Sequence, residues 1–133
     1  MYRSFLLAGA IFGMLGVALG AFGAHGLQDL TSDEKILTVF KTGVQYQLYH
    51  ALVLLIVSLF YDKLPGRNGK YAGIFFIIGT LLFSGSLYLL TYVMILHWVV
   101  PTLLAVVTPL GGLFFLAGWF MLVLAAFKSR SQR

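Results

Sequence analysis

Polar side chains within long apolar segments are the residues of this chain that could do chemistry. Residues 43–61 carry amides, phenols and an imidazole, and residues 71–96 carry hydroxyls and phenols. A histidine after the first apolar segment and a threonine in the last one extend the set. Its members are His25, Tyr46, Gln47, Tyr49, His50, Ser84, Tyr88, Thr91 and Thr108. All of them donate or accept hydrogen bonds, and polar groups inside a membrane are commonly functional.

Helical spacing places several of these residues on common faces. Tyr46 and His50 are four residues apart, and Ser84, Tyr88 and Thr91 are spaced by four and three. If both stripes point inward, they meet at a similar depth in one half of a bundle. Two interpretations stay open. The first is a satisfied hydrogen-bond network that holds the helices together, and the second is an outward-open pocket for ligand binding.

Enzyme and metal chemistry find little support in the residues. The apolar segments contain no Asp or Glu, and the chain has no cysteine. Its 3 histidines show no H-x-x-x-H spacing for a metal. Ser84 and Ser86 have no base nearby in sequence, and His50 is a candidate base only through the fold. We therefore expect no catalytic residue, no metal and no cofactor.

The composition indicates an all-α membrane protein. Hydrophobic residues make up 60% of the 133 residues, charged residues 10%, and the mean hydropathy is +0.95. A soluble domain carries roughly 25% charged residues, so the bilayer must solvate most of this chain. Segments of roughly 20 apolar residues cross a membrane as helices. Four such segments, 5–24, 43–61, 71–96 and 101–127, predict a four-helix bundle that forms a single transmembrane domain over residues 1–133.

The basic residues predict the topology. Seven of the nine fall on one side of the predicted membrane: Arg3, Lys63, Arg67, Lys70, Lys128, Arg130 and Arg133. Only Lys35 and Lys41 fall on the other side. The positive-inside rule then places both termini in the cytoplasm, as in a multi-pass protein of the bacterial inner membrane. Because the net charge of +5 comes from residues that flank the membrane segments, it indicates contact with the lipid bilayer and not with nucleic acid.

Three connecting stretches carry further predictions. Thr31 and Glu34 have the spacing of a capping box, and an amphipathic stretch at residues 32–42 either lies on the outer interface or continues into the second helix. Pro65-Gly66 and Asn68-Gly69 predict turns. The fourth segment is broken or kinked near Thr108-Pro109. We favour a short piece, a break with Thr108 as cap, and then the true span, over a helix that starts near Pro101 and contains Pro109.

Glycines mark a packing face on the first helix. They follow one another at spacings of four, three, four and three: Gly9, Gly13, Gly16, Gly20 and Gly23. At 100° per residue they fall within an arc of about 80°. Such a stripe lets another helix approach at backbone distance. The partner helix belongs either to the same chain or to a neighbouring copy.

The order of the motifs resembles the YgdD/YwdK-like family of small bacterial inner-membrane proteins of unknown function. The similar stretches are residues 20–27 (GAFGAHGL), 42–52 (TGVQYQLYHAL), 83–88 (FSGSLY), 108–112 (TPLGG) and 118–119 (GW). They cover most of the candidate residues named above, and together they extend over nearly the whole chain. The resemblance implies a four-helix membrane protein and carries no established activity.

Two functions remain as hypotheses. The first is a non-enzymatic structural or accessory protein that packs into a homo-oligomer or against another membrane protein. The glycine stripe, the short loops and the lack of catalytic groups favour it. The alternative is an outward-facing binding or transport protein for a small solute, an ion or a lipid headgroup, and the polar cluster favours that reading.

Overall fold

The computed structural model describes residues 1–64 and 67–130, and within them the chain is helical, without strands. Its helices are α1 (Arg3–Ala24), α2 (Gly26–Leu30), α3 (Glu34–Phe60), α4 (Asn68–Ile95) and α5 (Thr102–Arg130), and a 3-10 turn (Tyr61–Lys63) follows α3. Four of these helices are long and apolar enough to cross a membrane. The predicted four-helix membrane architecture is therefore confirmed. The predicted turn at Pro65-Gly66 and the basic residue Arg133 lie outside the described residues.

The helices pack in chain order. α1 lies against α3, α3 against α4, and α4 against α5, which is the most extensive pairing. α3 and α4 therefore form the centre, and α1 and α5 are the most exposed helices. One buried cluster draws on all four long helices through Phe5, Leu54, Val57, Ala72, Phe76 and Phe115. This shared core makes the four helices one bundle.

The start of α3 differs from the predicted capping box. Asp33 is the N-cap residue, and its Oδ1 accepts a hydrogen bond from the Lys35 amide at 2.8 Å. The Thr31 hydroxyl instead accepts from the Asp33 amide at 3.1 Å, in a turn that precedes the helix. The predicted capping box from Thr31 to Glu34 is thus wrong. Asp33 lies closer than Thr31 to the first amides of the helix, so its side chain caps them. The amphipathic stretch continues directly into α3.

The end of α4 is a Schellman motif with a histidine in the position that usually holds glycine. The His97 amide donates to the Met94 carbonyl and the Trp98 amide to the Val93 carbonyl, each at 3.1 Å. His97 has a φ of 55°, in the left-handed region. The Trp98 ring meets the Tyr92 ring edge-on at 6.2 Å, which is the apolar contact that accompanies such an end. At its other end, α4 begins at Asn68, so the turn predicted at Asn68-Gly69 is wrong, because both residues belong to the helix.

α5 corrects the favoured prediction for the fourth segment. The helix is continuous from Thr102 to Arg130, with Pro109 inside it. A break with Thr108 as cap is therefore wrong, and the helix starting near Pro101 is the alternative observed. Thr108 Oγ1 donates to the Leu104 carbonyl at 3.2 Å, within the helix. Pro109 cannot donate a backbone hydrogen bond within the helix. The extensive packing of α5 on α4 supports the helix where that bond is missing.

The glycine stripe of α1 lies against α3 of the same chain. A methyl group at Gly9 would lie 2.9 Å from the Ala51 carbonyl oxygen, and one at Gly16 would lie 2.7 Å from Leu48 Cδ2. Gly23 meets Phe40 as closely, whereas a methyl group at Gly20 would make only an ordinary contact with Val44, at 3.4 Å. Gly13 is the exception, since no atom of the described residues would lie within 4 Å of a methyl group there. Between α1 and α3, the absence of side chains on α1 therefore sets the helix separation.

Candidate functional site

The candidate polar residues lie in separate groups, because α3 has a different neighbour on each of its faces. One face of α3 meets α1, a second meets α4, and a third borders a groove towards α5. Residues only one or two positions apart on α3 therefore face different partners. The groups differ in burial and in hydrogen bonding.

The first group links three helices through Gln47. Tyr88 Oη donates to Gln47 Oε1 at 2.7 Å, and Gln47 Nε2 donates to the Phe12 carbonyl at 2.8 Å. Gln47 is 5% exposed, so these bonds join α1, α3 and α4 in the interior. Gln47 therefore lies opposite Tyr88. If the two predicted stripes faced each other, Tyr46 or His50 would lie there instead.

The second group links α4 to α5. The hydroxyl oxygens of Ser86 and Thr108 lie 2.7 Å apart, and one donates to the other. Ser86 is buried and was not among the predicted site residues. Its only signal in the sequence is its position two residues beyond Ser84. Thr91, on the same helix, donates to the Leu87 carbonyl at 2.9 Å and so satisfies its hydroxyl locally.

His50 forms the third group, at the floor of a groove of about 410 Å³ between α3 and α5. Its Nδ1 lies 2.8 Å from the Tyr46 carbonyl oxygen. Because a carbonyl only accepts, Nδ1 carries the hydrogen and Nε2 is left as an acceptor. The ring stacks on Phe115 with centroids 3.5 Å apart and planes at 3°. His50 is 4% exposed, and among the described residues its Nε2 has no hydrogen-bond partner.

The remaining candidates are Ser84, His25, Tyr46 and Tyr49. Ser84 is 1% exposed, and its hydroxyl has no partner within the described part of the chain. His25 is exposed between α1 and α2. Tyr46 and Tyr49 are 39% and 51% exposed, and Tyr49 Oη accepts from Gln45 Nε2 at 2.8 Å. Gln45 and Tyr49 thus form a polar patch on the outer face of α3, while the Tyr46 ring borders the His50 groove with its centroid 4.7 Å from that of Phe83.

A second concavity of about 500 Å³ lies where α1 ends and α3 begins. It is lined by Gly20 and Gly23 of α1, by Gln28 of α2, and by Glu34 and Lys41 of α3. None of the nine candidate ligand-binding residues lines this cleft. The spacing of seven between Glu34 and Lys41, which puts both on one face of α3, was the signal that could have indicated it.

Metal ligands do not come together within the described residues, where no group of three His, Asp or Glu side chains lies close enough to hold an ion. His50 is buried in the bundle, while His25 and His97 are exposed at helix ends. The His50 and Ser84 side chains do not bond to each other, since each has a buried atom without a partner. The arrangement can therefore donate and accept hydrogen bonds, and it assembles no Ser–His pair.

Known proteins resemble the chain over nearly its whole length. A family model described as a protein of unknown function (DUF423) matches residues 19–112. The UPF0382 membrane protein YwdK of Bacillus subtilis (strain 168) is 47% identical over 127 residues, which cover 95% of this chain and 98% of the relative. The UPF0382 membrane protein SH2409 of Staphylococcus haemolyticus (strain JCSC1435) is 41% identical, with 95% and 97% covered.

A more distant relative extends the comparison. A UPF0382 membrane protein of Haemophilus influenzae is 39% identical over 134 residues, which cover 98% of this chain and 99% of the relative. No solved structure matches the chain. The resemblance inferred from the sequence motifs is confirmed. The chain belongs to the DUF423 family, and the relatives it matches are UPF0382 membrane proteins.

Proposed function

We propose that the protein is a non-enzymatic component of the bacterial cytoplasmic membrane that assembles with itself or with another membrane protein. One observation carries this proposal. Two buried side-chain hydrogen bonds join helices of the bundle, Tyr88 with Gln47 and Ser86 with Thr108, while Gln45 and Tyr49 face outward on α3. The bundle thus uses these inner polar groups for architecture and presents others to its surroundings.

The outward patch favours a helix partner because lipid offers polar groups little to bond to. Polar side chains in hydrocarbon are costly and usually face protein. Gln45 Nε2 and Tyr49 Oη lie 2.8 Å apart, so one neighbouring helix could cover both. Hydrogen bonds between membrane helices contribute about 0.6–2 kcal/mol each. A partner that bonds to this patch would therefore be held at a defined place on α3.

The lack of catalytic machinery supports a non-enzymatic role. No carboxylate lies within the apolar segments. Ser84 was a candidate nucleophile and His50 the candidate base. Their side chains do not bond to each other. The polar pairs that do form are neutral hydrogen bonds between helices. These are the contacts of a scaffold.

Site-specific photo-crosslinking in intact membranes tests the assembly. A photo-reactive residue at Tyr49 should give a defined protein product, either a dimer of this chain or an adduct with another membrane protein. The same replacement at Tyr92, an exposed tyrosine of α4, is the matched control and should give little product. Lipid adducts alone at Tyr49, or equal products at both positions, would contradict the proposal.

Assembly can also be counted directly. Native mass spectrometry of the protein in mild detergent should show more than one polypeptide per particle. Replacing Tyr49 with Leu should lower the assembled fraction, while Tyr92→Leu should leave it unchanged. A monomer for the wild type, together with no protein crosslink at Tyr49, would overturn the proposal.

The topology within this proposal places both termini in the cytoplasm, and single-cysteine labelling tests it. The chain has no cysteine of its own, so each introduced cysteine gives an unambiguous signal. Ser32 and Lys63 are exposed at opposite ends of α3. A membrane-impermeant maleimide should label Ser32→Cys in intact spheroplasts and Lys63→Cys only after permeabilisation. The reverse pattern would refute this orientation.

A second candidate function is the binding of a small molecule in the groove between α3 and α5. The unpartnered Nε2 of His50 at its floor favours this candidate, since a buried acceptor gains from a donor. Native mass spectrometry should then show a reproducible small mass on the wild type that His50→Ala loses. A clean polypeptide mass for the wild type, or an unchanged adduct on His50→Ala, would count against it.

A further inference from the structure

The cleft at the end of α1 combines an apolar base with two opposite charges. Gly20 and Gly23 of α1 form one wall, and α3 supplies the opposite wall from Glu34 to Val44. The volume of about 500 Å³ is large enough for a headgroup and the first part of an acyl chain. The nature of the occupant follows from the order of groups along this wall.

The two charges stand apart along one face of α3. Glu34 and Lys41 are seven residues apart, or about 10.5 Å along the axis at 1.5 Å per residue. Side chains on a helix lean towards its N-terminus, and the longer Lys41 side chain leans further than that of Glu34, so the gap between the two charges is shorter than the axial distance. Among the described residues the single ion pair joins the N-terminus to Asp62, so Glu34 and Lys41 are paired neither with each other nor elsewhere.

The order of these groups matches the order of groups in a phospholipid. Lys41 is the last charged residue before the apolar run of α3, and Glu34 lies further out, at the start of the helix. Val44 lies further into the apolar run than Lys41 and also lines the cleft. From the membrane outward the cleft therefore presents apolar surface, then a positive charge, then a negative charge. A lipid presents its acyl chain, its phosphate and its ammonium in the same order.

We propose that this cleft binds one zwitterionic phospholipid, with its phosphate at Lys41 and its ammonium at Glu34. The acyl chain lies along the wall that Gly20 and Gly23 of α1 form. Glu34 disfavours an anionic lipid, because such a headgroup has a negative phosphate and no ammonium group to bind the Glu34 carboxylate. The apolar base disfavours a water-soluble zwitterion, which has no chain to place there. The site is independent of the polar patch on α3 and so goes beyond the proposed assembly.

Native mass spectrometry with defined lipids tests the site. The full-length protein is exchanged into equal amounts of phosphatidylethanolamine and phosphatidylglycerol with matched acyl chains, and retained lipids are counted per polypeptide. The wild type should retain one phosphatidylethanolamine in preference to phosphatidylglycerol. Lys41→Gln should lower that retention about five-fold, the scale of one basic residue at a lipid headgroup. Glu34→Gln should remove the preference between the two lipids.

Lys35→Gln is the matched control, since Lys35 is exposed on the same helix and does not line the cleft. It should retain the lipid as the wild type does. An equal loss with Lys35→Gln, no preference in the wild type, or displacement of the lipid by phosphoethanolamine at equal concentration would each overturn the proposal. The same spectra count polypeptides per particle, so failure of the lipid site and failure of the proposed assembly are distinguishable.

Discussion

Two neighbouring glycines on α5 should respond in opposite ways to the same substitution. A methyl group at Gly111 would lie 2.8 Å from Phe83 Cα, and it would also press on the Phe83 backbone nitrogen. A methyl group at Gly112 would lie 4.0 Å from the nearest atoms of the Phe83 ring, which is an ordinary contact. Phe83 backbone atoms cannot rotate away, so Gly111→Ala must separate α4 from α5.

The comparison isolates the cost of that separation. Both substitutions gain the same preference of alanine for a helix, about 0.5–1 kcal/mol, so this contribution cancels in the difference. Overpacking a well-filled seam costs about 1–3 kcal/mol. Gly111→Ala should therefore be less stable than Gly112→Ala by about 1–3 kcal/mol, and Gly112→Ala should be as stable as the wild type or slightly more so.

Unfolding by dodecyl sulfate in mixed micelles measures the difference. Helix content by circular dichroism gives the free energy of unfolding. Tryptophan fluorescence reports the packing, because the Trp119 ring of α5 meets the Phe76 ring of α4 at 5.4 Å. Equal stability of the two variants would refute the inference that α4 and α5 approach at backbone distance near Gly111.

Three further predictions use the same unfolding assay. A double-mutant cycle of Gln47→Leu and Tyr88→Phe should give a coupling energy of about 0.6–1.7 kcal/mol, because the two side chains share a buried hydrogen bond; additive effects would show that the bond does not form. His97→Gly should stabilise the protein by about 1 kcal/mol by relieving the left-handed conformation, and unchanged stability would contradict that backbone geometry. Gly9→Ala should be less stable than Gly13→Ala by about 1–3 kcal/mol, since only Gly9 faces a backbone oxygen; the reverse order would place the stripe against another partner.

Helix boundaries show where local sequence was sufficient and where it was not. The apolar segments correctly predicted all four long helices. The capping residues before α3 and Pro109 in α5 led to wrong predictions of where those two helices begin. Asp33 and Thr31 both have side chains that can cap a helix. In the structure the Asp33 carboxylate accepts from the Lys35 amide, while the Thr31 hydroxyl accepts from the Asp33 amide before the helix. Pro109 cannot donate a backbone hydrogen bond, yet contacts with α4 keep α5 continuous. Those contacts are between helices, so they cannot be predicted from the residues next to Pro109.

The sequence alone determined the solvent and the number of crossings. Four apolar segments with few charges leave a bilayer as the medium, and a bilayer requires each segment to bond its own backbone as a helix. The order of residues also determines which side chains are polar and which of them share a helix face. These properties depend on composition and on helical period, both of which are local.

Tertiary structure decided which faces meet. Helical period places Gln47 and His50 on different faces of α3, but it does not say which face meets α4 and which borders the groove towards α5. That choice depends on how all four helices fill space together, including the close approach at Gly9, Gly16 and Gly111. Packing is a property of the whole bundle. For this reason only the structure could pair Tyr88 with Gln47, leave His50 Nε2 unpartnered and place Glu34 and Lys41 in one cleft.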